Sequence, residues 1–390
     1  MGAVAALDSG GRESAAPVAV EGAATGPAPG TKTRLTSLDA FRGLTILGML
    51  LVNNIALDTA TPRQFLHAGW NEGLHFADLV FPWFVLIVGV SIAFSATSTR
   101  SKALPGWKYD LKVLTRALIL FLLGCLIDSS LARRPVLGLG VLQLIGLAYL
   151  VGALLYGLPA ERRALIAVLV LVLHWAAIRF IPIPGESAGV FTESRNLIVH
   201  LNSQYLEPVH LRGVISVVPT SALVLIGTLL GDLLRTERLP ASRKITVLIA
   251  GGLGLAVVGW LWNFDIPFNK PLWTGSYVLF SAGCGAVLLG ALHLAMDVTG
   301  WRALGFPFVV FGSNAIVAYV VPILTKAFIL QAWSWRMADG SLANLQDAFL
   351  RFCIDHAGRI PGGWLCTLAY ILAWWLVLLA LYRKRVFVRA

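Results

Sequence analysis

Asn53, Asn54, His67, His75 and Asp78 are the residues of this chain best suited to chemistry, and they fall within one short stretch. The stretch runs from Asn53-Asn54 through Phe65-Leu66-His67-Ala68-Gly69-Trp70-Asn71 to His75 and Asp78, with Pro82 and Trp83 close behind. A histidine moves protons near neutral pH. An asparagine can donate to a developing oxyanion. An aspartate can orient an imidazole by accepting its N–H. Trp70 and Asn71, beside the histidine, are candidates to contact a substrate. On chemistry alone the cluster also reads as polar residues at a membrane surface, since a single loop histidine is more often just that.

Three more polar residues lie where an apolar helix should avoid them. Arg42 follows Asp39 by three residues, a spacing that lets the two pair on a helix. The pair reads either as an interface anchor or as the cationic mouth of a site for a phosphate-bearing ligand. Gln143 and Asn314 are single amides inside apolar runs, suited to interhelical hydrogen bonds or to a ligand. Together with Arg42 they form the candidate cofactor-binding set. Cys125, Cys284, Cys353 and Cys366 are scattered, with no CxxC and no metal-ligand spacing, so no metal is expected.

The elements that must position these residues follow from composition. Charged residues make up 13% of the 390 and hydrophobic ones 57%, with mean hydropathy +0.77. Soluble proteins carry about 25% charged residues. So few charges cannot cover a soluble body of this size. The long apolar runs exclude a membrane β-barrel, which alternates over segments of about ten residues. The expected fold is an all-α, polytopic membrane helical bundle. The net charge of +11 reads as loop Lys and Arg that set orientation and meet lipid headgroups, not as a nucleic-acid interface.

A span takes about 20 apolar residues. Ten candidates are expected, at roughly 38–57, 76–97, 110–128, 135–157, 163–181, 213–234, 244–263, 271–296, 303–330 and 363–382. The third and fourth form a hairpin about Ser129 to Arg134. The ninth holds Pro307, Pro322 and Lys326 and is expected to kink or end early. Residues 1–33, rich in Ala, Gly, Pro and Ser, are expected to be a disordered cytoplasmic tail, followed by one transmembrane domain over 34–388. They lack the apolar segment of a signal peptide. Ten spans put both termini on one side. That side carries sixteen loop and helix-end Lys and Arg against nine on the other, so both termini are expected to be cytoplasmic. The His67 loop, 182–212 and 331–362 then face outward.

The stretches RLTSLDAFRGLTILGMLLVNN and FLHAGWNEGLHFADLVFPWFVLIVGVSIAFS closely resemble the heparan-alpha-glucosaminide N-acetyltransferase family. So do VLGLGVLQLIGLAYL, NKPLWTGSYVLFSAG, FPFVVFGSNAIVAYV and WWLVLLALYRKRVFV, which extends the resemblance over roughly 34–388. The resemblance implies a membrane acetyltransferase that takes acetyl from cytosolic acetyl-CoA and passes it across the membrane to the amino group of a terminal glucosamine. It implies that His67 is the catalytic histidine. It also implicates an asparagine at the outer end of the preceding helix. Asn53 matches best, with Asn54 the neighbouring alternative because the spacing to His67 is longer here. The large luminal domain and leading helix of the lysosomal enzyme have no counterpart in this sequence. The acceptor implied is therefore a small amino sugar, a chitin-derived saccharide or an envelope glycan. Acetyl-CoA is the implied donor, membrane lipids are the surroundings, and a homodimer is compatible. The implied location is a bacterial inner membrane. Two other readings stand beside this one: acylation of a saccharide hydroxyl on the same scaffold, and a transporter. A transporter would show an inverted repeat, and no repeat is visible.

Overall fold

The computed structural model describes residues 35–98, 105–336 and 340–388. The expected tail over 1–33 lies outside these residues. The described chain holds thirteen α-helices. They are α1 (Thr36–Asn54), α2 (Phe76–Ala96), α3 (Gly106–Ala132), α4 (Val141–Leu155), α5 (Ala160–Phe180), α6 (Leu197–Leu201) and α7 (Val217–Arg235). Then follow α8 (Ala241–Trp262), α9 (Gly275–Leu292), α10 (Arg302–Ser313), α11 (Ala315–Thr325), α12 (Leu345–Ala357) and α13 (Arg359–Arg383). A two-stranded antiparallel hairpin pairs β1 (Ser334–Arg336) with β2 (Leu342–Asn344).

Every one of the ten expected segments is helical. Among the described residues, six helices are long and apolar enough to cross a membrane: α2, α5, α7 with its leading turn, α8, α9 with the π-turn that follows it, and α13. The pair α10 and α11 makes a seventh only if it is counted as one span, bent by 66°. Three others are not among them. Asp39, Arg42 and two terminal asparagines dilute α1, α4 has only 15 residues, and α3 carries Lys108, Asp110, Lys112 and Arg116 in its first half. The chain is an integral membrane protein of helical class.

The expected kink in 303–330 sits at neither proline. It falls at Asn314, where φ −129° and ψ 48° interrupt the helix. The Asn314 side chain then holds the C-terminal segment. Its Nδ2 donates to Val386 O at 3.0 Å and its Oδ1 accepts from Val388 N at 2.9 Å. The α3–α4 hairpin turns later than expected, because α3 continues to Ala132. Arg133 then reverses the chain at φ 54°. The hairpin and α12 within 331–362 were not foreseen, being short and non-apolar.

Apolar side chains gain little from leaving lipid for another helix, so close van der Waals packing of small residues must hold the bundle. Gly43 of α1 and Gly312 of α10 show this best. A Cβ built on Gly43 would stand 1.7 Å from Phe308 O, and one on Gly312 would stand 1.8 Å from Asp39 O. Gly89 and Gly227 bring α2 and α7 together in the same way, with a Gly89 Cβ 2.2 Å from Val224 O. One core of buried side chains joins α2, α3, α4, α5, α7 and α9. A second joins α1, α10, α11 and α13 around Ile46, Phe311 and Leu378.

Gly43→Ala should therefore cost about 1–3 kcal/mol through overpacking. Gly251→Ala, in the interior of α8 with nothing within 4 Å of its Cβ, should be neutral or stabilising by up to about 1 kcal/mol. Thermal unfolding of the detergent-purified proteins checks the pair. Equal midpoints for the two variants would contradict the packing argument.

Candidate functional site

The site is built at the end of the bundle where α1 leaves and α2 begins. Residues 55–75 make that connection through two 3₁₀ turns, Asp58–Ala60 and Arg63–Phe65. Aromatic and amide contacts pin it down. The Phe65 ring meets Phe76 at 6.1 Å and Trp364 at 6.0 Å between centroids. Phe76 N donates to Gln64 Oε1 at 3.0 Å, and Ala56 N donates to Thr367 Oγ1 at 3.1 Å.

Asp78 is the hub. It lies in the first turn of α2, where exposed backbone donors and the helix dipole favour a carboxylate. Its Oδ2 accepts from Ala68 N at 3.0 Å and from His75 N at 3.2 Å. Its Oδ1 lies 2.8 Å from His67 Nδ1 and 3.5 Å from Lys270 Nζ. The Tyr277 hydroxyl donates to its backbone carbonyl at 2.6 Å. The Asp78 side chain is 2% exposed, against 54% for His67. A buried carboxylate thus fixes a histidine whose other face is open.

Lys270 is the residue that sequence reasoning missed. It lies in the α8–α9 connection, and the sequence offered only a loop cation beside Pro271 to mark it. Its Nζ is 3.0 Å from His67 Nδ1 and 3.5 Å from Nε2. The connection is held by Asn269, which accepts from Leu272 N at 2.9 Å, and by His174 of α5, bound to Leu272 O at 2.9 Å. Burial pushes the Lys270 ammonium below the usual lysine value, and the Asp78 carboxylate opposes that fall.

The remaining candidates divide between two places. Asn53 and Asn54 line a cavity of about 450 Å³ with Asp128, Gln143, Lys326 and Tyr370. The Asn53 carbonyl and Asn54 Oδ1 accept from Lys326 Nζ at 3.4 and 3.1 Å. Gln143 Nε2 donates to Asp128 at 2.7 Å. His67 does not line this cavity. Arg42 lies instead near the break between α10 and α11 that falls at Asn314. Arg42 binds Asp39 at 3.1 Å and Ser91 Oγ at 2.8 Å, and reaches Gly312 O at 3.5 Å. The three candidate cofactor-binding residues are therefore split, with Gln143 beside Asn53 and away from Arg42. Trp70 packs on Phe191 with centroids 5.2 Å apart and donates to its carbonyl at 3.4 Å. Asn71 is exposed, in a left-handed turn at φ 69°. Among the described residues, no group of three or more His, Cys, Asp or Glu gathers as metal ligands.

Fold and site together define a polytopic helical membrane protein with a histidine, oriented by a carboxylate, at one end of its bundle. Residues 34–258 match the family described as "Heparan-alpha-glucosaminide N-acetyltransferase, catalytic", and the chain belongs to that family. It is 26% identical over 419 aligned positions to heparan-alpha-glucosaminide N-acetyltransferase of Homo sapiens, covering 91% of this chain and 59% of the human protein. It is 27% identical over 372 positions to the Mus musculus protein of the same name, covering 78% of this chain and 55% of that relative. The chain thus spans a little over half the length of these relatives.

Asp78→Asn would replace an acceptor of backbone and imidazole donors with an amide that can no longer satisfy them all. It should lower stability by about 1–3 kcal/mol. Glu72→Gln, at an exposed position nearby, should stay within about 0.5 kcal/mol of the parent. Thermal unfolding midpoints of the two variants test the hub assignment.

Proposed function

We propose that this chain is a membrane N-acetyltransferase. It takes acetyl from acetyl-CoA on the side of the chain termini and passes it to the amino group of a glucosamine-type sugar on the side of the α1–α2 connection. We further propose that all ten apolar segments cross the membrane, with both termini in the cytoplasm of a bacterial cell and the His67 loop outward. The observation that carries this reading is His67. Its Nδ1 is taken by a buried carboxylate, which leaves Nε2 as the reactive nitrogen on an open rim.

The oriented imidazole serves as nucleophile. Its Nε2 lone pair adds to the thioester carbon, the C–S bond breaks with its electrons on sulfur, and the thiolate leaves and takes a proton from water. The acceptor amine then adds to the acetyl carbon, loses its proton to a base, and releases neutral His67. Asp78 holds the proton on Nδ1 throughout, which keeps the lone pair on Nε2. A covalent relay suits a histidine this exposed, because a bulky saccharide can reach it from outside after the thiol has gone. Arg42, on the terminal half of α1, would meet the donor, and Asn314 lies two residues beyond the Gly312 carbonyl that Arg42 reaches. Asn53 and Gln143 face the cavity at the other end, 11 residues or about 16 Å along α1 from Arg42. Pantetheine has a comparable extended reach. Trp70 and Asn71 flank the histidine on the acceptor's approach.

His67→Ala should lower acetyl transfer from acetyl-CoA to glucosamine in proteoliposomes by at least about 10²-fold. Labelled acetyl-CoA without acceptor should leave label on the parent protein and none on the variant. Undiminished transfer by His67→Ala would overturn the assignment. Transfer to saccharide hydroxyls with none to amines would move the reading to O-acylation.

A further inference from the structure

Oxyanion stabilisation is a task of the proposed reaction that has no residue close to His67 so far. The groups around the imidazole are nearly all committed. Ala68 N donates to Asp78, Gly69 N to Glu72, and the Trp70 indole to Phe191 O. Asn53 lines a cavity that His67 does not share.

Lys270 is different. Asp78 as a carboxylate can only accept, so His67 Nδ1 carries the proton and gives it to Oδ1 at 2.8 Å. Nδ1 has a single in-plane position, and once protonated it offers Lys270 no lone pair. An ammonium has three N–H donors. The acceptor left to Lys270 is Asp78 Oδ1 at 3.5 Å, which is long for a hydrogen bond. The Lys270 side chain is 26% exposed, so it is held in place yet open on one side.

We propose that Lys270 is a catalytic residue, the cation that stabilises the oxyanion formed when acetyl is attacked by His67. The inference rests on the reading of His67 as the nucleophile. As the Nε2 lone pair adds to the thioester carbon, the C=O π pair moves onto oxygen. When that pair returns, the C–S bond breaks and its electrons leave on sulfur. In the second step the amine nitrogen adds, the same oxygen again takes the charge, and Nε2 leaves with its pair. In both steps the oxygen lies two bonds from Nε2, about 2.3 Å away by standard dimensions. Lys270 Nζ stands 3.5 Å from Nε2, so an oxygen that the tetrahedral carbon turns toward Lys270 comes within hydrogen-bonding distance of the ammonium. The geometry also accounts for Asp78 touching both residues. One carboxylate fixes the imidazole and balances the cation beside it.

The test compares Lys270→Gln, Lys270→Arg and His67→Ala with the parent in proteoliposomes supplied with acetyl-CoA and glucosamine. Lys270→Gln should lower kcat by about 10²–10³-fold while the KM for acetyl-CoA changes little. Parent activity should fall as pH rises toward the lysine range, because burial lowers the Lys270 value and the neutral amine no longer carries charge. The charged and titratable groups facing Lys270 are His67 and Asp78, with Tyr277 behind Asp78 and His174 behind Leu272. Lys270→Arg should keep measurable activity with no such alkaline fall, since a guanidinium does not deprotonate there. A merely structural ion pair to Asp78 would instead lower the unfolding midpoint of Lys270→Gln and leave the kcat of its folded fraction near parental. Parental kcat in Lys270→Gln, or an unchanged alkaline limb in Lys270→Arg, overturns the proposal. Should Lys270→Gln fail to fold, the Lys270→Arg profile decides alone. Parental transfer by His67→Ala would sink the histidine reading itself, whereas an inactive His67→Ala beside a fully active Lys270→Gln would sink only Lys270.

Discussion

The Asp78 carboxylate holds the loop end of this protein together. A charge withdrawn from water is tolerated only when donors surround it. Asp78 meets that demand with two backbone N–H groups, an imidazole and an ammonium. Each donor comes from a different part of the connection or from the α8–α9 turn. Satisfying one buried charge therefore fixes the α1–α2 connection, the start of α2, and the position of Lys270. Orientation of His67 is a consequence of this local electrostatic demand. The orientation of the imidazole and the stability of the helix start are one arrangement.

A fixed hub needs a stiff platform, and hydrophobic burial cannot supply one within lipid. Glycine does so here by letting backbones approach. Gly43 against Gly312 clamps α1 to α10, and Gly89 against Gly227 clamps α2 to α7. The two helices that carry Asn53 and Asp78 are thus each locked to a partner. Asn314 completes the platform from the opposite end. Its break frees a helix of its ladder for a moment, and its amide turns that freedom into a tie to the C-terminal segment. Irregular backbone inside a bundle is tolerated where protein groups satisfy it.

The polar residues sort into two layers on this platform. Arg42, Ser91 and the α10–α11 break occupy the terminal half. Asn53, Asn54, Asp128, Gln143 and Lys326 surround the cavity at the loop half. A reaction that joins a donor on one side to an acceptor on the other needs polar groups at both depths. The arrangement is consistent with that need, and the His67 cluster sits at its far end.

Much of this was legible in the sequence because it is local. Apolar length marks ten segments, each of which holds a helix, and six helices among the described residues are long and apolar enough to cross a membrane. The three-residue spacing of Asp39 and Arg42 foretells their ion pair. His67 and Asp78 are eleven residues apart across one turn, close enough for the aspartate's role to be read from the stretch itself. Other features depend on helices distant in the chain, and spacing carries no trace of them. Lys270 lies 203 residues from His67, and only the packing of α9 and its preceding turn against α2 brings it there. Gln143 was grouped with Arg42 by residue type, but the antiparallel path of α4 places it with Asn53. The break at Asn314 was expected at a proline, whose effect is local. It falls instead at Asn314, whose amide donates to Val386 O, 72 residues away. Sequence determines which segments enter the membrane and which carry polar groups. Tertiary packing alone decides which of those groups meet, because side chains far apart in the chain are joined only by how their helices fit.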